Sequence, residues 1–284
     1  MNGLLVIDKQ AGMTSHDVVA MCRRILGERR VGHAGTLDPG ATGVLVLGVG
    51  RATRLLRFVE DAEKEYVAEA IFGSTTSTLD AEGDVISETD ASRLSEADVR
   101  AVIPRFVGEI DQVPPMVSAI KVGGEALYKK ARRGEDVERP ARRVRIDGLD
   151  LESFEAGPRA MGTFHVRCSR GTYIRSLVAD IGEAVGVGGH ISALRRTRVG
   201  TFTEVEAIPL SDVSEKALRP MESAVAGYPR RSVDEAGARA LVHGKPLEPG
   251  GIDGVYAVYG PQGLLAMAED REGEARSLCV LTQG

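Results

Sequence analysis

The amino-acid sequence predicts a mixed α+β fold in two parts. Strand-like and helix-like segments are interspersed over about the first 225 residues, without the regular βαβ rhythm of a parallel sheet. Beyond them, a short helical segment is followed by strands that Gly and Pro separate. The 284 residues are enough for one large domain and one small one. We therefore expect a large domain over 1–225 and a small β-rich module over 226–284.

Each predicted element has its own local signal. Two helices are expected to begin at capping boxes, one formed by Thr14 and Asp17 and the other by Ser95 and Asp98. Continuous or alternating apolar residues predict the strands. In chain order, the expected elements are a strand over 3–9, a helix over 14–27, strands over 43–50 and 66–73, a helix over 95–106, strands over 144–154 and 163–171, helices over 173–186 and 232–244, and strands at VYAVYG, LLAMAE and SLCVL.

The composition is typical of a packed soluble protein. Hydrophobic residues make up 43% of the chain and charged residues 27%, both near globular averages. No apolar run approaches the roughly 18 residues of a membrane span, and the N-terminus lacks a signal-peptide pattern. Cys22, Cys168 and Cys279 are far apart and lack CxxC spacing, so we expect buried free thiols rather than disulfides or zinc ligands. These features predict a cytoplasmic protein.

Positive charge is concentrated in three stretches, although the net charge is -5. Counting Lys and Arg against Asp and Glu gives 8 against 4 in 1–58, 9 against 4 in 121–145 and 6 against 2 in 165–200. By contrast, 59–120 has 4 against 14 and 201–284 has 8 against 13. The basic stretches could converge on one face that binds a polyanion. A solvated surface with no partner is the alternative.

Asp38 lies in an unusually glycine-rich loop, GHAGTLDPGATG, over 32–43. It is the only acidic residue between Arg29 and Val59. The loop lacks the lysine of a GxxxxGK[ST] phosphate-binding motif, and His33 has no further metal ligands at suitable spacing. Two interpretations stay open. Asp38 bonds N–H groups of its own turn, or it is an ionised nucleophile or base whose pKa a cation holds down.

Three further segments carry candidate chemistry. In SRGTYIRSL (169–177), Arg175 falls in the first turn of a helix, where the dipole disfavours a cation unless an anion lies near. The basic stretch 121–145 is either a mobile flap that contacts RNA phosphates or a solvated helix and loop. Within 64–84, Tyr66 opens a strand and Asp80 lies in a polar loop. Ordinary surface and packing roles are the alternatives.

Taken together, these segments resemble one family, the stand-alone bacterial tRNA pseudouridine synthases of the TruB type. The resemblance runs over nearly the whole chain. It rests on LLVIDKQAGMTSHDVV, GHAGTLDPGATGVLVLGVGRATR, EKEYVAEAIFG with TSTLDAEGD, QVPPMVSAIKVGGEALYKKARRG, SRGTYIRSLVADIGE and HISALRRTRVG, all in the family's order. It implies the mixed, mostly antiparallel sheet of the pseudouridine synthase fold, a basic insert at about 117–143 and a PUA-like RNA-binding C-terminal domain. One departure is Gln10, where the family usually has proline.

The resemblance also implies roles for individual residues. Asp38 would be the catalytic aspartate, Arg175 its partner, and Tyr66 the ring that stacks on the target base. His33 would fill the stack that a flipped base leaves. The other expected substrate-binding or supporting residues are Lys9, Asp80, Tyr173, Leu194, Lys129, Lys130, Arg132 and Arg133.

The implied reaction converts the T-loop uridine at position 55 of tRNA to pseudouridine. The base is flipped out, the N1–C1′ bond breaks and C5 bonds to C1′. An isomerisation implies no cofactor and no metal, and a monomer that needs no protein partner is expected. Asp38 either attacks C1′ or removes the 2′ proton to give a glycal.

Three other functions compete with this one. One is the activity of relatives that work inside a guide-RNA ribonucleoprotein. Another is that of a non-catalytic RNA binder or tRNA-folding chaperone, which could also accompany the synthase. The last is an unrelated carboxylate hydrolase, which would leave the basic stretches unexplained.

Overall fold

The computed structural model describes residues 1–118, 121–127, 130, 133, 135 and 137–281. Helices and strands are interspersed, so the predicted α+β class is confirmed. The helices are α1 Ser15–Leu26, α2 Leu56–Glu60, α3 Glu96–Val102, α4 Ile174–Ala184 and α5 Glu235–Val242. The strands are β1 Gly3–Lys9, β2 Val31–Ala34, β3 Thr42–Val49, β4 Lys64–Phe72, β5 Ser74–Thr76, β6 Val85–Glu88, β7 Gly108–Gln112, β8 Lys121–Val122, β9 Glu125–Ala126, β10 Arg142–Glu155, β11 Met161–Cys168, β12 Gly189–Val199, β13 Phe202–Thr203, β14 Arg230–Ser232, β15 Val255–Gly260, β16 Gly263–Arg271 and β17 Glu274–Val280.

One large sheet organises the first part of the chain. Its strand order is β1-β3-β12-β4-β11-β10-β7, with β2 beside β3 and β13 beside β12. These pairs are antiparallel except β3 with β12. The pairs β5–β6 and β8–β9 form two small separate ribbons. The mostly antiparallel sheet that the family resemblance implied is therefore confirmed.

Strand β1 is covered by apolar side chains on both of its faces. Leu5 and Ile7 point into the core beneath α1 and α4, whereas Leu4 and Val6 pack in the opposite layer with Phe58. Alternate side chains of a strand point to opposite faces, so a strand covered on both sides must be apolar throughout. This explains why GLLVIDK is a continuous apolar run rather than an alternating one.

Both capping boxes form where the sequence predicts them. Thr14 Oγ1 accepts from the Asp17 N–H at 3.1 Å, and Asp17 Oδ2 accepts from the Thr14 N–H at 2.9 Å. The equivalent pair of bonds at Ser95 starts α3. The predicted extent of that second helix is wrong, because α3 ends at Val102 and the next four residues form a 3-10 turn around Pro104.

Several strands, among them β2, β7 and β12, were not expected from the sequence. The omission of β12 matters most, because this strand lies at the centre of the sheet between β3 and β4. Its arginines, Arg195, Arg196 and Arg198, interrupt the apolar pattern that marks a buried strand. The strand predicted over 163–171 ends earlier, at Cys168, and a turn leads from there to α4.

The C-terminal residues form a separate sheet of order β14-β15-β16-β17. Its apolar side packs against the large sheet, where Met267 and Leu281 join the same cluster as Val44 and Phe58. Three arginine side chains of the first part, spaced three residues apart, also donate to backbone carbonyls at the β17 edge. These bonds, which we call the arginine row, join Arg51 to Leu281 at 3.0 Å, Arg54 to Val280 at 2.6 Å and Arg57 to Leu278 at 2.7 Å.

The three cysteines are free thiols, as the sequence predicts. Cys22 and Cys168 are buried, and Cys279 is half-buried. Within the described part of the chain, every helix is too short or too polar to cross a lipid bilayer.

Candidate active site

A cavity of about 810 Å³ opens beside the loop that joins β2 to β3. Among the described residues, basic side chains outnumber acidic ones on its wall, where the acids are Asp38, Glu60 and Asp61. The three basic stretches of the sequence each contribute, so their expected convergence on one face is found. The basic lining residues are Arg57, Lys64, Arg142, Arg143, Arg170, Arg175 and Arg196.

The Asp38 loop is anchored on both sides of the aspartate. Before it, the Leu37 N–H donates to Ser15 Oγ at 2.8 Å, and this hydroxyl donates back to the Leu37 carbonyl at 3.1 Å. After it, the Pro39 carbonyl accepts from Lys9 Nζ at 3.1 Å. The backbone that carries Asp38 is thus fixed by side chains from α1 and β1.

Gly43 allows two strands to meet beneath this loop. It is the second residue of β3 and has a φ of +98°, a region that favours glycine. A Cβ at this position would lie 2.2 Å from the Arg196 carbonyl oxygen of β12. Any side chain here would therefore push β12 away from the loop that carries Asp38.

Arg175 lies in the first turn of α4, as predicted, and joins two carboxylates. Its Nε lies 2.9 Å from Asp38 Oδ2, and its Nη1 lies 3.3 Å from Asp80 Oδ2. The guanidinium also donates to two backbone carbonyls, those of Thr78 at 2.9 Å and Val117 at 2.8 Å. The side chain is only 4% exposed. These acceptors hold a planar donor in one orientation, which a lysine could not reproduce.

The pKa of the Asp38 carboxyl is shifted in the direction opposite to the sequence expectation. Burial among the cavity walls raises its pKa above the ordinary value, Arg175 opposes this effect, and the charge of Asp80 adds to it. The expected net lowering of the pKa by a cationic neighbour is therefore wrong. Asp38 still has 40% of its side chain open to the cavity, so the carboxyl can reach a bound molecule.

Asp80 is held in the loop between β5 and β6. Its Oδ1 accepts from the Thr78 hydroxyl and from the Glu82 N–H at 3.1 Å. The preceding Leu79 has a φ of +60°, in a region that is costly for a branched side chain. The strained turn and these bonds present the second carboxylate to Arg175.

Tyr66 lies on β4, opposite Arg196 of β12. The tyrosine is 8% exposed and lines the cavity. Burial raises the pKa of its phenol, which Arg196 partly offsets. Arg196 itself is buried and donates to the Val44 carbonyl at 2.7 Å and the Gly35 carbonyl at 3.1 Å. One arginine thus connects Tyr66 with the loop that carries Asp38.

The other predicted residues fall into two groups. Leu194 and Tyr173 line the cavity. His33 and Lys9 are not among its described lining residues. His33 lies on β2, and burial lowers the pKa of its ring. Its Nδ1 has no hydrogen-bond partner among the described residues.

Lys9 supports the site from behind. Its Nζ donates to the carbonyls of Gln10 at 3.0 Å, Met13 at 2.8 Å and Pro39 at 3.1 Å. Burial lowers its pKa to about 8. Because Lys9 Nζ donates to these three backbone carbonyls, it fixes the Asp38 loop. These contacts do not support the expectation that Lys9 touches the substrate.

The expected RNA contacts of the basic stretch 121–145 stay a prediction. Arg133 forms ion pairs with Glu125 at 2.8 Å and Glu135 at 2.7 Å, so its guanidinium is already bound by two carboxylates. The Lys130 carbonyl, within this stretch, accepts from the Arg133 N–H at 2.9 Å. Lys129 and Arg132 lie outside the described residues. Among the described residues of the stretch, Arg142 and Arg143 of β10 line the cavity.

Sequence reasoning missed three polar residues at the site. Arg196 and Lys64 line the cavity, and buried Gln112 contacts Tyr173. Burial lowers the pKa of Lys64 to about 8, and its Nζ donates to the Ala62 carbonyl at 2.7 Å. All three lie outside the segments predicted as strands, so the local pattern gave no signal of their burial.

Family models match most of the chain. A model described as the N-terminal domain of the TruB family pseudouridylate synthases matches residues 23–174. Models for the C-terminal domain of tRNA pseudouridylate synthase B and the C-terminal region of tRNA pseudouridine synthase II match 175–230 and 228–282.

Two curated relatives, both named tRNA pseudouridine synthase B, match along nearly their whole length. The protein from Mycobacterium sp. (strain KMS) is 48% identical, covering 98% of this chain and 96% of that protein. The protein from Thermobifida fusca (strain YX) is 46% identical, covering 98% of each.

Solved structures show the same fold. A chain in the crystal structure of a Cbf5-Nop10-Gar1 complex matches with a TM-score of 0.77 and 31% identity, covering 99% of this chain and 85% of that one. A chain of an H/ACA RNP bound to a substrate RNA containing 2'-deoxyuridine matches with a TM-score of 0.75 and 28% identity, again covering 99% and 85%. Fold and site together define a pseudouridylate synthase. The chain belongs to the TruB family of these enzymes.

Proposed function

We propose that this protein converts the uridine at position 55 in the T loop of tRNA to pseudouridine. The names of its relatives, tRNA pseudouridine synthase B, support tRNA as the substrate. The wall of the cavity supports it as well, because a predominantly basic surface attracts a polyanion. The proposal assigns catalysis to residues 1–225 and RNA binding to both this part and residues 226–284.

The observation that carries the proposal is the ion pair between Asp38 and Arg175 inside this basic cavity. A carboxylate facing RNA would repel phosphate, so a protein that only binds RNA gains nothing from it. A carboxylate held by a buried guanidinium, next to the ring of Tyr66, suits chemistry at a sugar carbon.

The proposed reaction begins when the target uridine leaves the T-loop stack, at a cost of a few kcal/mol. The base then lies against the ring of Tyr66, and Asp38 acts at the ribose. The N1–C1′ bond breaks, the uracil turns in the cavity, and C5 bonds to C1′. Finally C5 loses its proton, and N1, now free of C1′, takes up a proton from solvent. The Tyr66 hydroxyl is the candidate that accepts the C5 proton as it gives up its own proton to solvent. No atom is gained or lost overall, so the step needs no oxidant or reductant.

Two routes are open to an ionised Asp38. In the first it attacks C1′ and forms a covalent ester, and in the second it removes the 2′ proton to give a glycal. Deuterium at C2′ distinguishes the routes, since only the second breaks the C2′–H bond and gives a primary isotope effect. The comparison is made under single-turnover conditions, so that product release does not hide the effect.

The function is tested by tritium release from a T-arm stem-loop that carries 5-tritiated uridine. Wild-type protein is expected to release tritium, and Asp38→Asn is expected to bind the stem-loop without releasing it. A stem-loop with cytidine at the target position controls for release elsewhere. A folded wild-type protein that binds tRNA and releases no tritium would contradict the proposal.

The proposal includes activity without a protein partner or guide RNA. One solved relative is a chain of an H/ACA RNP, and another is a chain of a Cbf5-Nop10-Gar1 complex, so this point needs its own test. Purified protein and a tRNA transcript alone should give pseudouridine, whereas a requirement for added RNA would contradict it. The tRNA-folding activity expected from the sequence stays a prediction. Asp38→Asn should retain this activity, because base flipping precedes catalysis.

A further inference from the structure

Gln112 is the last residue of β7, and its side chain reaches the start of α4. The Tyr173 N–H donates to Gln112 Oε1 at 2.7 Å, and Gln112 Nε2 donates to the Tyr173 carbonyl at 3.0 Å. The residue is 1% exposed and is not among the described residues that line the cavity. The buried Gln112 amide therefore binds both the N–H and the carbonyl of Tyr173, as the backbone of a paired β-strand does.

The start of α4 needs support from outside the helix. Tyr173 is its N-cap residue and supplies no side-chain cap, and the first turn contains no acidic residue. That turn nevertheless carries Arg175, whose charge the helix dipole disfavours. Local sequence therefore does little to fix where this turn lies, although the arginine that meets Asp38 projects from it.

The residues after Gln112 hold the same turn at two further points. The Val113 carbonyl accepts from Ser176 Oγ at 2.9 Å, and the Val117 carbonyl accepts from Arg175 Nη2 at 2.8 Å. Residues 112–117 thus bind the backbone of Tyr173 and the side chains of Arg175 and Ser176. Only the Gln112 contact acts on the helix backbone itself, and it comes first along the helix.

We propose that Gln112 is a positioning residue for the reaction. By fixing the Tyr173 backbone, it sets where Arg175 meets Asp38 and how the Tyr173 ring faces the cavity. The part of this inference that concerns the reaction rests on the proposed function. The part that concerns the start of α4 is independent of it.

The test uses Gln112→Met, which nearly conserves the buried volume and removes both hydrogen bonds. Gln112→Glu is the second variant, because it keeps the acceptor for the Tyr173 N–H and loses the donor. Leu151→Ala is the control. Leu151 is buried on β10, nine residues along that strand from Arg142, which pairs with Gln112, and its truncation destabilises the protein by creating a cavity.

Two quantities are measured on each protein: the single-turnover rate at saturating stem-loop, and amide hydrogen exchange of residues 169–177 without RNA. Both Gln112 variants should bind the stem-loop normally and exchange faster at 169–177. Gln112→Met should react about 100-fold more slowly, the usual order for a reacting group misplaced by about 1 Å. Leu151→Ala should match wild type in both measurements.

Unchanged exchange at 169–177 would overturn the inference, and so would a wild-type rate in Gln112→Met. A rate loss of equal size in Leu151→Ala would also overturn it, because general destabilisation would then explain the effect. A wild-type protein that converts no uridine would refute the proposed function instead. Hydrogen exchange would still decide whether Gln112 fixes the start of α4.

Discussion

Arg175 and Asp38 meet at 2.9 Å although they project from different elements, the first turn of α4 and the β2–β3 loop. The arginine is buried, and the aspartate is partly open to the cavity. Arg175 is therefore the fixed residue of the pair, and Asp38 is the one that a bound molecule can reach. This arrangement suits a carboxylate that must touch a substrate without moving, since preorganised groups need no rearrangement during the reaction.

Replacing Arg175 with lysine should abolish this arrangement while keeping the positive charge. A single ammonium cannot span Asp38, Asp80 and the carbonyls of Thr78 and Val117. We expect the single-turnover rate of tritium release to fall about 100-fold or more. Arg170→Lys, at the exposed rim of the cavity, is the matched control and should stay near the wild-type rate. A fully active Arg175→Lys protein would remove the geometric argument.

The acid limb of the pH–rate profile should lie above the ordinary pKa of aspartic acid, 3.8. Burial raises the pKa of Asp38, so the carboxylate takes up a proton at a higher pH than an exposed aspartate does. Because the proposed reaction needs the ionised form, activity should fall as the pH drops through this raised value. Single-turnover rates at saturating stem-loop test this, with circular dichroism to confirm folding. A limb at or below 3.8 would contradict the assignment.

Asp38→Asn should be at least as stable as wild type at pH 7. A raised pKa means that the folded state binds the proton more tightly than the unfolded state, so stability from this group decreases as the pH rises from 3.8 through the folded-state pKa. At pH 7 the ionised Asp38 is therefore a net cost to folding, which a neutral amide avoids. Melting temperatures near pH 7 and near 4 measure the effect, and the difference should shrink at the lower pH.

The control for this stability prediction is Asp80→Asn. Asp80 accepts hydrogen bonds from Thr78 and Glu82 as well as Arg175. An amide cannot accept at both ends, so this variant should melt below wild type. An Asp38→Asn protein that melts below wild type at pH 7 would show that the ion pair with Arg175 outweighs desolvation.

Arg142 should contribute to RNA binding more than Arg133 does. Arg142 lines the cavity, whereas the Arg133 guanidinium is bound by Glu125 and Glu135. Arg142→Ala is expected to weaken stem-loop binding and reduce the slope of log K against log salt by about 1. Arg133→Ala should change the slope little. Titrations at several salt concentrations decide between the two, and a larger slope change for Arg133→Ala would favour Arg133 as the phosphate contact.

The parts of the fold that depend on neighbouring residues were predictable from sequence. The capping boxes at Thr14 and Ser95 start helices where expected, because each uses contacts within four residues. Strand β12 was not predicted, because its three arginines are buried or half-buried through contacts with distant strands. Long-range pairing overrides the local pattern there, and local patterns were the only signal available.

The same distinction applies to the site. Asp38 and Arg175 lie in short distinctive motifs, and the structure brings them together. Arg196 and Gln112 act through hydrogen bonds to backbone that is far away in the chain, at Val44 and Tyr173. Such contacts depend on the fold as a whole. Because every residue has a backbone carbonyl, the sequence does not indicate which one accepts the bond.

The arginine row has a consequence for how the C-terminal sheet can evolve. Arg51, Arg54 and Arg57 bind carbonyl oxygens of the β17 edge, and every amino acid provides this same group. Outward-facing side chains of β17 can therefore change without loss of these bonds. The C-terminal module is free to diverge in sequence, even to a net acidic composition, while it stays attached at the same place. Arg57 also borders the cavity. Its bond to a backbone carbonyl therefore links the C-terminal module to the site whatever the sequence of the module.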